Sequence, residues 1–167
     1  AEKWEVSKNG LEFTFFLRKD AYFHNGENVT AEDVKFSFDA IREPKHQALN
    51  ILPYIETFNK VDVIDKYTIK FTAKEKYFRN MSSLCGIILV LPKSVYGDIN
   101  KSVKMQKEMI GSGPYKLETY EKSQRIVLKK FDKWYGDNTP EWKGFYNFDQ
   151  ITFRFSKEDT ITIEKLK

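Results

Sequence analysis

The sequence is poor in the residues that most often carry reactive chemistry. Its 167 residues include one cysteine and two histidines. The lone Cys85 excludes a disulfide framework, and its apolar surroundings predict a buried thiol. His24 precedes an Asn-Gly turn and is expected to be an ordinary loop histidine, and neither His24 nor His46 has a second ligand at metal spacing. The sequence therefore predicts no metal site and no cofactor.

Motifs for catalysis and for membrane insertion are missing as well. There is no Gly-x-Ser-x-Gly elbow, and Cys85 has no base near it in the sequence. The Gly-Ser-Gly triplet at 111–113 lacks the third glycine and the following helix of a phosphate cradle, so it predicts a turn. No apolar run approaches the roughly 18 residues of a membrane-spanning helix. We expect no catalytic residue and a protein that is not an enzyme.

The charge pattern does not favour nucleic acid. The 28 basic residues face 24 acidic ones, and the two signs alternate closely along the chain. Such a mixed surface gives solubility rather than a phosphate-binding stripe. Residues 125–135 are basic and aromatic, a combination that can stack on bases. Alternation there places Ile126 and Leu128 on one face, which favours a solvated strand. A nucleic-acid-binding domain stays the less favoured alternative, and steep salt dependence would reveal it.

The pattern of apolar residues predicts an α+β fold built from antiparallel hairpins and short helices. Alternation predicts strands at 4–6 and 11–18, joined at Asn9-Gly10. Two further hairpins are expected at 60–64 with 68–72 and at 115–120 with 125–130, followed by a strand at 148–155. The apolar stretch 87–90 is expected to be a buried strand.

Helices are indicated in three places. Thr30 is expected to cap a helix that continues until Pro44 ends it. A short helix is expected near residues 77–84. Ser156 and the acidic residues after it predict a third helix, which reaches Lys167 without a residue that would end it. We therefore expect the natural protein to continue beyond Lys167.

Several ordered segments resemble one protein family. They share aromatic, glycine and capping residues in a fixed order: Trp4-Glu5-Val6-Ser7, Gly10, Phe13-Thr14-Phe15-Phe16-Leu17-Arg18, Phe23-His24-Asn25-Gly26, Val29-Thr30-Ala31-Glu32-Asp33-Val34, Phe36-Ser37, Gly111-Ser112-Gly113-Pro114-Tyr115-Lys116-Leu117, Ile126-Val127-Leu128 and Trp134-Tyr135-Gly136. This order is similar to that of the family 5 extracellular solute-binding proteins of bacterial ABC importers, which include oligopeptide, dipeptide and nickel binders. The resemblance extends over nearly the whole chain.

The resemblance implies a two-lobed periplasmic binding protein fold of class II, the peptide-binding type. Residues 1–167 would then be a single α+β fragment comprising a small extra domain plus part of the first lobe, with the second lobe missing. The implied function is capture of an oligo- or dipeptide and its delivery to the membrane permease subunits of the importer. The alternatives are a solute-sensing or other binding module without transport and, less favoured, a nickel or sugar binder.

The resemblance also sets the expected surroundings and partners. The protein would be a monomer that is periplasmic or lipid-anchored on the outer face of the cell membrane, with a peptide or other small solute as ligand and no nucleic acid. The candidate ligand-binding residues are Tyr54, Arg79 and Asn80, because each is polar or amphipathic and lies beside an apolar segment. The matched motif residues themselves are expected to pack, turn and cap.

Overall fold

A computed structural model describes residues 1–46, 48–98 and 108–155. Its first part is a four-stranded antiparallel sheet in the order β1-β2-β4-β3. The strands are β1 (Lys3–Val6), β2 (Glu12–Phe16), β3 (Phe58–Asp65) and β4 (Thr68–Ala73). Both predicted hairpins of this part are confirmed, with Val6 opposite Phe13 and Val61 opposite Phe71. Gly10 takes a φ of 69°, which glycine adopts without the steric cost of a Cβ atom.

The first helix, α1 (Ala31–Arg42), packs on this sheet and begins after Thr30 as predicted. The carboxylate of Asp33 accepts hydrogen bonds from the Thr30 amide at 2.9 Å and the Thr30 hydroxyl at 2.6 Å. A short 3-10 turn, Pro44–His46, follows the helix. Proline fits the start of that turn because its missing N–H is not needed there.

The core between α1 and the sheet is built from phenylalanine. Phe38 of α1 is fully buried and meets the rings of Phe58 and Phe71 edge-to-face at 6.2 and 5.3 Å between centroids. Phe13 meets Phe58 in the same way at 6.0 Å. Alternation along the strands puts Phe13, Phe58 and Phe71 on one face of the sheet, which explains why α1 alone can cover them.

Three further helices are short: α2 (Leu52–Ile55) precedes β3 within the first part, whereas α3 (Asn80–Gly86) and α4 (Lys93–Tyr96) lie between the two parts of the chain. The predicted buried strand at 87–90 is wrong. None of the described strands pairs with this segment, and Leu89 is 77% exposed. Instead, the Leu91 amide donates to the Ser37 hydroxyl at 2.8 Å, so a side chain of α1 takes the place of a neighbouring strand.

The predicted burial of Cys85 is also wrong, because the residue is exposed. Asn80, Ser83 and Leu84 are the buried residues of α3. Their i, i+3, i+4 spacing defines the face of α3 that meets the core, and it leaves Cys85 on the other side.

The second part is a three-stranded antiparallel sheet in the order β5-β6-β7. Its strands are β5 (Tyr115–Glu121), β6 (Arg125–Lys130) and β7 (Gln150–Arg154). The predicted hairpin and last strand are thus confirmed, although β7 is shorter than expected. Two 3-10 turns, Tyr135–Asn138 and Pro140–Trp142, lie between β6 and β7. The helix predicted from Ser156 lies outside the described residues.

Candidate functional site

A cavity of about 860 Å³ lies between the three-stranded sheet and the segments that precede it. We call it the sheet-face cavity. One wall is a face of β5, β6 and β7, and the other is formed by residues 89–91, 109–113 and Tyr96 of α4. The cavity therefore lies where the two parts of the chain meet.

The sheet wall of the cavity is apolar because of strand register. Leu117, Leu128 and Ile151 are paired across the sheet, and Tyr120, Ile126 and Phe153 form the next row. Residues paired across an antiparallel sheet share a face, so these side chains form one continuous surface. Phe153 is 51% exposed. The wall can bury apolar groups but supplies few hydrogen bonds.

The polar groups of the cavity come from tyrosine and histidine. The hydroxyl of Tyr96 accepts from the Ile110 amide at 3.0 Å, which holds the segment before the Gly-Ser-Gly turn. The Tyr115 hydroxyl is buried and makes no hydrogen bond within the part of the chain that the structure describes. A buried hydroxyl without a partner is costly, so this group is a strained feature of the fold beside the cavity.

Two polar side chains of α1 hold the opposite wall in place. The Asp33 carboxylate, already bonded to Thr30, accepts from the Lys93 amide at 2.9 Å. Ser37, which is 3% exposed, accepts from the Leu91 amide and donates to the Asp33 carbonyl at 2.7 Å. These bonds attach the segment between α3 and α4 to the first helix. Both residues lie in the quoted motif, where the sequence indicated only a packing and capping role.

His24 joins the two parts of the chain, a role that sequence reasoning missed. Its amide donates to the Gly111 carbonyl at 2.8 Å, and its ring contacts the amide of Gly111 and the carbonyl of Gly113. The signal that could have revealed it is the presence of both segments in one ordered motif. The predicted turn at 111–113 is present, since residues 112–114 are bends that lead into β5.

The three predicted ligand-binding residues do not line the sheet-face cavity. Asn80 is 1% exposed, and its amide group accepts from the Thr57 hydroxyl and donates to the Glu75 carbonyl, both at 3.1 Å. Tyr54 is 49% exposed on α2, and Arg79 is exposed with its guanidinium 5.3 Å from the ring centre of Phe78. The side chain of Asn80 thus bonds within the protein, and ligand contact by Tyr54, Arg79 and Asn80 stays a prediction.

The described residues also lack the features of two other classes of site. Over 1–46, 48–98 and 108–155, no group of three or more histidine, cysteine, aspartate or glutamate side chains could hold a metal ion. Within the same ranges, no helix has the length and apolar character to cross a membrane.

Comparison with known proteins identifies the family. The model of the bacterial extracellular solute-binding proteins, family 5 Middle, matches residues 1–167. The chain belongs to this family. The α+β architecture with antiparallel sheets is accordingly part of a two-lobed class II binding protein fold, as the resemblance implied.

Known relatives and solved structures are similar to this chain over nearly its whole length. The dipeptide-binding protein of Escherichia coli K12 is 26% identical over 187 residues, which cover 100% of this chain and 34% of the relative. NikZ from Campylobacter jejuni, solved in complex with Ni(L-His), is 26% identical with a TM-score of 0.82, and the match covers 99% of this chain and 32% of NikZ. AgaA from A. tumefaciens R10, solved with agropinic acid, is 28% identical with a TM-score of 0.81 over 99% of this chain and 32% of AgaA. The chain therefore spans about a third of the length of these proteins.

Proposed function

We propose that the full-length protein containing this chain is the substrate-binding component of an ABC importer. It captures a peptide outside the inner membrane and delivers it to the permease subunits. The observation that carries the proposal is the match of the family 5 solute-binding model to residues 1–167. The protein acts by binding, without a catalytic step, as a monomer in the periplasm or tethered by lipid to the outer face of the membrane.

The arrangement of the two sheets supports an assignment of the chain to two different domains. The four-stranded sheet and α1 correspond to the small extra domain, and the three-stranded sheet to part of the first lobe. The second lobe belongs to the remaining two thirds of the protein. Closure of two lobes around a solute is a hinge motion, and affinity comes from burial between them. The 167-residue chain alone supplies one wall, so it binds solute weakly or not at all.

Peptide is the favoured solute class because relatives that are peptide-binding proteins match this chain along its full length. The E. coli relative is a dipeptide-binding protein, and a Pseudomonas aeruginosa relative is a di/tripeptide-binding protein. Recognition of peptides relies on backbone hydrogen bonds and on water-filled side-chain pockets, which tolerate sequence change. This explains how a peptide site can be retained at 24–26% identity.

A second candidate is a small non-peptide solute. It is favoured by the similarity to NikZ with its nickel–histidine complex and to AgaA with agropinic acid. A metal complex brings its own ligands, so the absence of a metal-binding cluster from the described residues does not argue against it.

The experiment is native mass spectrometry of the full-length protein purified from its source cell envelope. The mass of the intact complex gives the total bound mass, and denaturation releases the solute for identification. The matched control is the 167-residue chain expressed alone and incubated with the released solute. We expect a set of short-peptide masses on the full-length protein and none retained by the control.

The possible outcomes of this experiment distinguish between the two candidate solutes and test the proposed function. A single nickel complex or an opine-like mass would replace peptide by the second candidate. Tight binding of the released solute by the 167-residue chain alone would contradict the proposal that this chain supplies one wall of the site and the second lobe supplies the other. A full-length protein that carries no solute and shows no thermal shift with di- to pentapeptide libraries would overturn the proposed function.

A further inference from the structure

His24 lies in the loop closed by the bridge between Tyr22 and Asn28, far in sequence from the turn that it contacts. Its Nδ1 atom is 3.2 Å from the amide nitrogen of Gly111, and its Nε2 atom is 3.1 Å from the carbonyl oxygen of Gly113. Together with the bond from its own amide to the Gly111 carbonyl, these contacts connect residues 87 to 89 positions apart. His24 therefore attaches the first part of the chain to the turn that precedes β5.

The partners of the ring define its protonation state. A backbone amide can only donate, so Nδ1 must carry the lone pair that accepts from Gly111. A carbonyl oxygen can only accept, so Nε2 must carry the proton that is donated to Gly113. The ring is therefore the neutral Nε2–H tautomer. Protonation at Nδ1 would set an N–H group against the Gly111 N–H and break that bond.

The surroundings of the ring oppose a positive charge. Phe131 packs on it edge-to-face at 5.1 Å between centroids and offers no acceptor. Lys116 of β5 adds a repulsive charge, and the other titratable groups that line the same cavity are the hydroxyls of Tyr96, Tyr115 and Tyr120. Burial lowers the pKa of His24 from its ordinary value; the bond to Gly113 opposes this effect and Lys116 adds to it.

We propose that His24 is a positioning residue that fastens the turn at 111–113 to the first part of the chain only while its ring is neutral. In acid the bond to Gly111 is lost, and the turn that forms one edge of the sheet-face cavity loosens. The proposal concerns the joint between the two parts of the chain, so it stands whether or not the solute is a peptide.

The direction of the pH effect follows from linkage. Because the neutral ring is favoured in the fold, its contribution is fully present above pH 6.5, the ordinary value for histidine. The contribution falls as pH drops from 6.5 towards the lower pKa of the folded state. If the open turn titrates at the ordinary value, protection of the joint decreases by at most about tenfold at pH 5.5.

The test is hydrogen–deuterium exchange of the full-length protein from pH 7.5 to 5.0, read on a peptide spanning 108–114 and corrected for the intrinsic pH dependence. We expect protection to be constant above pH 6.5 and to decrease below it. His24→Asn keeps an acceptor near the Nδ1 position without a titrating ring, so its protection should not change with pH. His46→Asn, on the other histidine of the chain, should behave as the unmodified protein.

A second measurement does not depend on any variant. Long-range proton–nitrogen spectra of the imidazole rings report the tautomer, and His24 should show Nε2–H at neutral pH. An Nδ1–H tautomer, pH-independent protection of 108–114 in the unmodified protein, or a pH dependence that persists in His24→Asn would each overturn the proposal.

Discussion

Replacement of Ser37 by alanine tests how the cavity wall is attached to α1. The hydroxyl accepts from the Leu91 amide at 2.8 Å and donates to the Asp33 carbonyl at 2.7 Å, with the side chain 3% exposed. Its loss leaves a partly buried amide without a partner, which costs about 1–3 kcal/mol. Alanine recovers up to roughly 0.5 kcal/mol through helix propensity. We therefore expect a net loss of about 0.5–3 kcal/mol.

The matched control is Ser82→Ala on α3. Ser82 is exposed and its hydroxyl donates to the Arg79 carbonyl at 2.9 Å within its own helix, so this change should be close to neutral. Both variants are compared by urea unfolding of the full-length protein and by hydrogen exchange of a peptide spanning 87–93. The attachment of the cavity wall to α1 through Ser37 is refuted if the two serine variants have the same free energy of unfolding and the hydrogen exchange of 87–93 is unchanged.

Three further changes test single contacts. A Cβ atom on Gly136 would lie 2.2–2.4 Å from the Trp134 ring, so Gly136→Ala should lower the melting temperature and alter tryptophan fluorescence. Lys129 lies directly opposite Lys116 in the β5–β6 pair, so Lys129→Glu should stabilise by a few tenths of a kcal/mol in a salt-dependent way, measured by urea unfolding. Desolvation raises the pKa of the Cys85 thiol, so its alkylation by iodoacetamide should be slow at neutral pH and still increase above pH 9.0.

Each of these has a control within the chain. Gly86→Ala, where a Cβ atom would meet nothing within 4 Å, should be tolerated, and equal damage from both glycine changes would contradict the steric argument. Lys129→Gln should give part of the gain in stability, whereas destabilisation by Lys129→Glu would refute the inference that Lys116 and Lys129 repel each other. Cys85→Ser should abolish labelling, and a labelling rate that reaches its plateau below pH 8 would contradict a raised pKa.

Much of the fold was predictable because its determinants are local. Alternation along residues 11–18 and 125–130 reports which side chains share a sheet face, and Asn9-Gly10 reports a tight turn. The spacing of apolar residues after Thr30 likewise predicted α1. The boundaries of α3 and β7 differed by a few residues, since end residues depend on which neighbours complete their hydrogen bonds.

Predictions failed where a segment's surroundings come from distant parts of the chain. The stretch 87–90 has the composition of a buried strand, yet none of the described strands pairs with it, and the residue after it, Leu91, bonds to the Ser37 hydroxyl of α1. Cys85 has apolar neighbours in sequence, but helical geometry turns it away from the core. The predicted site residues were chosen as polar groups beside apolar segments, a criterion that does not take account of bonds such as those of Asn80 to Thr57 and Glu75, and their contact with ligand stays a prediction.

The amino-acid sequence by itself determined the hairpin strands, their turns, the first helix and the family, because each depends on the order of neighbouring residues. Tertiary structure alone decided which distant groups meet. His24 and Gly111 are 87 positions apart, and the order of their segments in one motif does not say which of their groups touch. Only the tertiary fold brings a ring nitrogen and an amide within hydrogen-bonding distance, and that fold is set by the summed burial of many side chains rather than by any one motif.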